Sequence, residues 1–230
     1  MNPRRRVLAL LACVVVGLAV AWYAGSRAPG GASGPPPAVG AVRLGPEPGQ
    51  DVAGYLAGLP ARLPPAGAAV PALVQFTGEL TPDAALGAVA GTVPHTAVFH
   101  VPLPRVQTAL RFEPLEPGVP PPTALGSARD RAQLAALADA RRAGGRPGAV
   151  AAAEAEVLAR PACRCVLAVL VVGDRAGLQA VAVRPGVRAV DPAPPGTTVR
   201  EVALAPLLPV HEGRVGPVPD DGPVPPAPGR

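Results

Sequence analysis

The sequence predicts an α+β fold: a ferredoxin-like, or split βαβ, sandwich with a helical-hairpin insertion, preceded by one N-terminal transmembrane helix. Two observations predict the domain. A strand–helix–strand pattern occurs twice, and two Ala-rich helical segments lie between the copies. A third observation, an uncharged apolar run near the N-terminus, predicts the transmembrane helix.

The N-terminal run has the features of a membrane anchor. Residues 7–24 carry no charged side chain, three arginines precede them, and an aromatic pair lies near the end of the run. By the positive-inside rule, this order predicts a cytoplasmic stub over residues 1–6, a single-pass helix over 7–24 and an extracytoplasmic remainder. The residues expected at the membrane interfaces are Arg4, Arg5, Arg6, Trp22 and Tyr23. The lipid bilayer is therefore the first expected partner, through residues 7–24.

A cleaved signal peptide is the main alternative to the anchor. Ala19-Val20-Ala21 places small residues at the two positions that a signal peptidase reads. Cleavage there would leave bulky Trp22 at the new terminus, and the apolar run is longer than a typical signal-peptide core. The alternative predicts a secreted protein, so both interpretations put the bulk of the chain outside the cytoplasm.

Composition divides the rest of the chain into three parts. Residues 25–71 are rich in Pro, Gly and Ala and lack sustained periodicity, which predicts a tether, although residues 51–59 would fit one or two helical turns. Residues 72–208 carry the strand and helix patterns and predict the extracytoplasmic α+β domain. Residues 209–230 return to Pro-rich sequence and predict a disordered tail.

The first strand–helix–strand unit begins the domain. Residues 73–77 have the length and composition of a strand. Thr81 as N-cap, followed by Pro82, predicts the helix that comes next. Residues 96–101 predict a second strand, and the clean alternation of residues 106–112 predicts a third.

Two helices are predicted between the units. Ser127 is the expected N-cap of the first, which runs to Arg141, and residues 149–160 form the second. Both are rich in Ala, so they are expected to pair as a hairpin on one face of the sheet. Glu154 and Glu156 are interpreted as solvated helix charges rather than as an acid–base pair.

The second unit contains the most apolar segment outside the membrane run. Residues 165–172 are apolar at every position, which predicts a central strand buried on both faces. Residues 175–184 predict a helix, 187–191 the next strand and 198–204 an edge strand. Right-handed crossovers would place the short helices of both units on one sheet face. The likeness between the units fits either a duplication or chance similarity in an Ala- and Val-rich chain.

The sequence Cys163-Arg164-Cys165 is the one local feature that indicates chemistry. In an extended strand the two side chains point to the same face with Cα atoms about 6.6 Å apart, at the outer limit of disulfide geometry. Three interpretations stay open: a structural disulfide, two half-buried free thiols, or a redox or metal-binding pair. A zinc site would need further ligands, and His95 and His100 are expected to face opposite sides. No metal site is therefore predicted.

No other residue set indicates catalysis, and the chain is predicted not to be an enzyme. Serine occurs only at positions 26, 33 and 127, which leaves a Ser-His-Asp hydrolase almost without a nucleophile. No phosphate-binding or dinucleotide-binding glycine motif follows a strand, so no cofactor is predicted. Asp174 and Asp191 end strands, where helix capping and turn formation account for them.

The charge balance argues against a nucleic-acid partner. The formal charge is +5, but three of the 21 basic residues precede the membrane run, which leaves the exported part close to neutral. Few aromatic residues follow that run, too few for a platform on which bases stack. No nucleic-acid binding is expected.

Three segments carry a resemblance to known proteins: Cys163-Arg164-Cys165-Val166, the run RPGVRAVDPAP over residues 184–194, and Pro206-Leu207-Leu208-Pro209. They resemble a group of uncharacterised actinobacterial single-pass membrane proteins, with the anchor and the Phe76 strand in matching order. The resemblance covers the C-terminal third of the chain and implies lineage and topology without a mechanism. The strand and helix order is also similar to that of propeptide-like inhibitors of subtilisin-type proteases, in fold alone.

Together these predictions favour a membrane-anchored extracytoplasmic binding or sensor module, with a membrane or extracytoplasmic protein as its partner. The first alternative is a thiol-redox protein that uses the Cys163 and Cys165 pair. The second is a propeptide-like protease-inhibitor domain. A membrane-bound anti-sigma factor is disfavoured, because a six-residue cytoplasmic stub cannot hold a sigma-binding domain.

Overall fold

A five-stranded antiparallel sheet forms the centre of the computed structural model, which describes residues 42–225. The strands of the chain are β1 (Val42–Leu44), β2 (Val70–Leu80), β3 (Val93–Phe99), β4 (Arg111–Pro114), β5 (Val166–Gly173), β6 (Val187–Pro192) and β7 (Val202–Leu204). The helices are α1 (Val52–Gly58), α2 (Pro82–Ala88), α3 (Pro121–Arg142), α4 (Gly145–Leu158) and α5 (Arg175–Ala182), and short 3-10 turns cover Leu59–Arg62 and Val199–Glu201. The fold is mixed α+β, as predicted.

Two strand–helix–strand units interleave in the sheet. The sheet order is β4-β3-β5-β2-β6, and every neighbouring pair is antiparallel. The units β2-α2-β3 and β5-α5-β6 each place one strand between the two strands of the other. β4 extends the sheet beyond β3, and the α3–α4 pair lies between β4 and β5 along the chain.

β5 is the middle strand, which confirms the prediction made from its apolar sequence. Every residue from Val166 to Val171 is buried, so both faces of the strand are covered. The neighbouring strand β2 is buried in the same way from Val70 to Phe76. Strands covered on both faces favour continuous apolar runs over alternation.

The two short helices begin where the sequence predicts. The Thr81 side chain accepts a hydrogen bond from the Ala84 amide at 3.3 Å, and proline follows it at the first helical position. The Asp174 side chain accepts one from the Gly177 amide at 2.8 Å. Each cap satisfies an amide that the first helical turn leaves without a partner. The interpretation of Asp174 as a helix cap is therefore confirmed.

One face of the sheet, which we call the helix face, is covered by α2, α3, α4 and α5. The largest buried side chains of this face are at most 1% exposed: Phe76 and Phe99 from the sheet, Leu125 from α3, Leu158 from α4 and Leu178 from α5. The predicted helical hairpin is α3 with α4, and it packs on this face.

The opposite face, which we call the strap face, is covered by two irregular segments. We define the N-terminal strap as residues 42–63 and the C-terminal strap as residues 196–215. Each strap contributes one short strand, and these strands, β1 and β7, pair in parallel. The segment predicted as an edge strand of the main sheet is therefore β7 in a separate ribbon. Leu44 and Tyr55 of the N-terminal strap and Leu207 of the C-terminal strap are buried in the apolar clusters of this face.

The prediction of a tether over residues 25–71 is wrong for residues 42–71. Val52, Tyr55 and Leu59 recur at helical spacing and are no more than 5% exposed. The high Pro and Gly content gives this segment an irregular backbone, but these apolar side chains hold the segment against the sheet. Residues 25–41 lie outside the described part of the chain.

The prediction of a disordered tail over residues 209–230 is wrong for residues 209–225. Val215 bonds to the N-terminal strap twice: its carbonyl accepts from the Gly49 amide at 2.8 Å, and its amide donates to the Gln50 carbonyl at 3.0 Å. The folded domain therefore covers at least residues 42–225 rather than 72–208.

The predicted third strand, residues 106–112, is mostly wrong. Strand β4 begins only at Arg111. The Ala109 amide donates to the Glu154 carboxylate at 2.8 Å, so this part of the loop bonds to a helix instead of a neighbouring strand.

The predicted starts of the two long helices are also wrong. α3 begins at Pro121, because proline suits the first helical position, and Ser127 lies inside the helix instead of capping it. α4 begins at Gly145 rather than at residue 149.

The predicted membrane segment lies outside the described residues. It comprises the stub over 1–6, the helix over 7–24 and the interface residues Arg4, Arg5, Arg6, Trp22 and Tyr23. Within residues 42–225, no helix combines the length and apolar character that crossing a bilayer requires.

Candidate functional site

Cys163 and Cys165 form a disulfide between α4 and β5. The two sulfur atoms are 1.95 Å apart and the two Cα atoms 5.3 Å apart. Cys163 is 5% exposed and Cys165 is fully buried, and both pack with the apolar side chains of the helix face. Thiol–disulfide exchange requires access to a sulfur atom, and this burial restricts it.

A histidine–glutamate pair lies on the strands that flank the bridge. The His100 amide donates to the Cys165 carbonyl at 2.9 Å, and the Cys165 amide donates to the Leu80 carbonyl at 3.1 Å. His100 Nδ1 lies 2.6 Å from Glu79 Oε1, with the two side chains 12% and 9% exposed. The pair therefore ties the ends of β2 and β3 together across the start of β5.

The three histidines lie apart, each with its own partner. His95 Nδ1 lies 3.1 Å from Thr96 Oγ1, and His211 Nδ1 accepts from the Leu208 amide at 3.3 Å. In the part of the chain that the structure describes, no three His, Cys, Asp or Glu side chains are grouped to hold a metal ion.

Asp191 is the centre of a buried polar network on the strap face. It lies in β6 and is 1% exposed. Its carboxylate accepts hydrogen bonds from the Gly45 amide at 2.7 Å, the Tyr55 hydroxyl at 2.9 Å and the Arg62 guanidinium at 3.1 Å. All three donors belong to the N-terminal strap, so one carboxylate joins that strap to the sheet. The interpretation of Asp191 as a turn or capping residue is therefore wrong.

Gln75 extends this network to the C-terminal strap. Its Nε2 donates to the Tyr55 hydroxyl oxygen at 2.7 Å, and its Oε1 accepts from the Leu207 amide at 2.7 Å. Such pairing removes most of the cost of burying polar groups. We call this network the strap clamp: Gly45, Tyr55, Arg62, Gln75, Asp191 and Leu207.

Tyr55 acts in the clamp as a neutral hydroxyl. Burial, followed by the negative charge of Asp191, raises the pKa of Tyr55 far above its ordinary value. The hydroxyl therefore stays protonated at neutral pH, donating to Asp191 and accepting from Gln75. The Arg62 guanidinium lies 5.9 Å from the centroid of the same ring, within cation–π range.

A second buried charge cluster joins β4 to the helical hairpin. Arg111 donates from Nη2 to Glu154 Oε2 at 2.6 Å and from Nη1 to Asp139 Oδ2 at 2.9 Å. Arg111 is 8% exposed and Glu154 is 2% exposed. The interpretation of Glu154 as a solvated helix charge is therefore wrong, whereas Glu156 is partly exposed.

Both clusters direct their carboxylates at protein donors. Asp191 accepts from three groups, and Glu154 accepts from Arg111 and from the Ala109 amide. A general base needs a lone pair within reach of a substrate proton. These arrangements are suited to holding structural elements together.

Sequence reasoning missed the main members of the strap clamp. One signal was present for Tyr55: it is the only tyrosine after the N-terminal apolar run, and it lies three residues after Val52 and four before Leu59. That spacing is typical of one face of a helix. Nothing local marks Gln75, because its partners are far away along the chain.

The chain matches no protein-family model, and comparisons with curated proteins and with solved structures find no match. Its function is therefore inferred from its own residues and fold.

Proposed function

We propose that the chain is a membrane-anchored extracytoplasmic binding or sensor module, with residues 7–24 in the bilayer and the α+β domain outside the cytoplasm. One observation carries the proposal: each buried polar or charged side chain of the described residues makes at least one hydrogen bond within the protein, and only the Nε atoms of Arg111 and Arg129 are buried there without a partner. These side chains are Gln75, Glu79, Arg111, Glu154 and Asp191. These side chains act within the fold, so the proposed partner would contact the outer surface of the domain.

We also propose that the domain is a ferredoxin-like sandwich with an inserted helical hairpin. Without β4, the sheet order β3-β5-β2-β6 is that of two interleaved βαβ units. The short helices α2 and α5 both contribute to the helix face, as right-handed crossovers require. The straps then cover the sheet face that a two-layer sandwich leaves open.

The membrane part of the proposal is supported by the sequence. The arginines Arg4, Arg5 and Arg6 precede the apolar run, and Trp22 and Tyr23 lie near its end, an order that favours a cytoplasmic N-terminus. The resemblance to actinobacterial single-pass membrane proteins supports the same topology. The expected partner is a membrane or extracytoplasmic protein.

The proposal is testable with the full chain in intact cells. A photo-crosslinking amino acid is placed at Val183, which is 83% exposed after α5, or in a matched chain at Leu134, which is 60% exposed on α3. We expect the chain to fractionate with membranes. We expect protease added outside the cells to digest the domain. Irradiation is expected to give a discrete protein adduct from at least one position. A cytosolic chain, or irradiation without an adduct from either position, would contradict the proposal.

A thiol-redox function is the second candidate, favoured by the bridge between Cys163 and Cys165. It predicts that the double variant Cys163→Ala/Cys165→Ala keeps its fold but loses function. Closure of so short a loop contributes only about 1–2 kcal/mol, so the variant is expected to stay folded. If the Cys163–Cys165 bridge of the folded chain does not exchange with an added dithiol, the redox function is wrong.

The propeptide-like protease-inhibitor function depends on the strand order alone. Addition of the detergent-extracted chain to a secreted subtilisin-type protease tests it, and an unchanged rate of peptide hydrolysis removes it.

A further inference from the structure

Residues 218–222, near the end of the described chain, dock on the loop that follows β3 and on the first turn of α4. Arg105 donates twice to the Asp221 carboxylate, from Nε to Oδ1 at 2.7 Å and from Nη2 to Oδ2 at 2.5 Å. Asp220 Oδ1 accepts from the Gln107 amide at 3.1 Å and from Arg146 Nη2 at 3.0 Å. Two adjacent carboxylates are therefore each recognised by a separate arginine.

The main chain of the same segment is also recognised. Gln107 Nε2 donates to the Val218 carbonyl at 2.6 Å, and Arg146 donates to the Gly222 carbonyl at 2.9 Å. The Gly222 amide donates to the Arg105 carbonyl at 2.7 Å. We call Arg105, Gln107 and Arg146 the tail cradle, and residues 218–222 the acidic tail segment.

Gly222 occupies a slot that excludes other residues. It is buried, and a Cβ atom at this position would lie 2.2 Å from the Pro104 carbonyl oxygen and 2.9 Å from that of Arg105. Both neighbours are backbone atoms, which cannot rotate away. The cradle therefore requires glycine after the two acidic residues.

Arg105 has an unusual backbone conformation. Its φ of +55° makes it the only non-glycine residue with positive φ in the range 42–225. It follows Pro104 in a turn closed by a bond from the Val106 amide to the Leu103 carbonyl at 3.1 Å, at the position where a type II turn favours glycine. Left-handed backbone at a non-glycine residue is costly and concentrates at binding sites. Here that residue contacts the tail with both its guanidinium and its carbonyl.

The docked segment is held by exposed contacts. The Arg105 and Asp221 side chains are 61% and 63% exposed, so salt screens the attraction between them. Within the acidic tail segment only Gly222 is buried, whereas Leu207 in the C-terminal strap is fully buried. The segment therefore fits the cradle closely but is held mainly by contacts at the surface, where water and salt compete with them.

We propose that the tail cradle recognises an Asp-Asp-Gly segment of a partner protein, and that the acidic tail segment of the chain itself is the competitor which a partner displaces. This inference rests on the proposed binding function and gives the partner a chemistry: two adjacent carboxylates followed by glycine. A tethered segment competes at an effective concentration on the order of millimolar. A partner therefore gains access when it is itself concentrated, as two proteins in one membrane are.

The test measures binding of a fluorescent peptide with the sequence of residues 216–224 to the full chain in detergent micelles. Two variants free the cradle by different means. Asp220→Asn/Asp221→Asn removes the charges of the resident tail, and Gly222→Ala keeps the charges but blocks the slot. We expect both variants to bind the peptide about tenfold more tightly than the wild type, because the competitor is gone.

Controls assign the binding to the cradle. Adding Arg105→Ala to either variant is expected to abolish binding, whereas adding Arg141→Ala, an exposed arginine on α3, is expected to leave it unchanged. A peptide with both aspartates replaced by asparagine is expected not to bind. Circular dichroism and the urea midpoint verify that each variant is folded.

Equal peptide binding by wild type and both variants, binding that survives Arg105→Ala, or no binding by any chain would overturn the inference. The crosslinking experiment fails independently. Peptide binding without a crosslinked partner contradicts the module function alone, and a crosslinked partner without peptide binding contradicts the cradle alone.

Discussion

The two faces of the central sheet are covered by different kinds of structure. On the helix face, four helices bury large apolar side chains such as Phe76 and Leu178. On the strap face, two irregular segments bury fewer apolar side chains, together with the hydrogen-bonded carboxylate of Asp191. Its partner Tyr55 lies 136 residues away along the chain. Pro- and Gly-rich sequence without a helix or strand period can therefore fold onto a sheet when a few apolar side chains and one polar network hold it there.

The largest effect is expected on the helix face. Phe76→Ala is expected to lower the free energy of unfolding by about 3–5 kcal/mol, because the ring is fully buried and helices on a sheet collapse only partly into a cavity. Urea unfolding measures the loss. Val183→Ala, at an exposed site, is the matched control and is expected to change the value by less than about 0.5 kcal/mol. A similar loss in both variants would contradict a packed helix face.

The stability of the strap face is expected to depend on the Asp191 carboxylate. Asp191→Ala is expected to cost about 2–3 kcal/mol, because it leaves the Gly45 amide and the Tyr55 hydroxyl without their acceptor. The loss stays below that for a fully buried ion pair, since the Arg62 side chain is 47% exposed and regains water. Asp83→Asn, an exposed carboxylate in the first turn of α2, is the control for urea unfolding. Equal stability of both variants would show that the straps do not need the clamp.

A smaller effect with a distinct pH dependence is expected for Tyr55→Phe. The variant loses one hydroxyl from the clamp and about 1 kcal/mol of stability at neutral pH. Because the pKa of Tyr55 is raised in the folded protein, the unfolded chain loses its tyrosine proton first, near pH ~10. Wild-type stability is therefore full below that pH and falls as the pH rises above it.

Urea unfolding of both chains between about pH 9 and about pH 11 measures this dependence. The chain contains no lysine, so few other groups titrate in that range. We expect the advantage of wild type over Tyr55→Phe to shrink as the pH rises. A constant difference would place the Tyr55 hydroxyl in water.

The smallest effect is expected at the tail cradle. Hydrogen bonds from Arg146 and Arg105 lower the pKa values of Asp220 and Asp221 respectively. A lowered pKa in the docked state means that the two carboxylates favour docking fully above the ordinary carboxyl pKa near ~3.9, and that this contribution is lost as the pH falls through the lowered values. In acid, the NMR resonance of the Gly222 amide should move toward its undocked position. Urea unfolding at the same pH separately measures whether the domain itself stays stable. An unmoved resonance would contradict docking through the two carboxylates.

Local patterns predicted much of the helix-face structure. The apolar run of β5 and the caps at Thr81 and Asp174 act over a few residues, so composition and spacing reveal them. Helix starts were less predictable, because Ala continues a helix on either side of a candidate cap such as Ser127, which lies inside α3.

The strap clamp was not predictable in the same way. Asp191 ends the predicted strand, a position that fits a surface turn equally well, and its burial is made favourable only by the distant donors Gly45, Tyr55 and Arg62. The burial of Glu154 is not visible in local sequence for the same reason, since its partner Arg111 lies 43 residues away. Among the site residues, the cysteine pair was visible because its members lie two residues apart.

Hydrogen exchange with mass spectrometry on wild type and Asp191→Ala tests the central claim most directly. In wild type, amides of the N-terminal strap over 42–63 and of β7 should be protected. In the variant they should exchange faster while β5 keeps its protection, because the helix face does not use the clamp. Straps that exchange in wild type as fast as an unfolded chain, or a variant in which β5 and the straps lose protection together, would contradict the account.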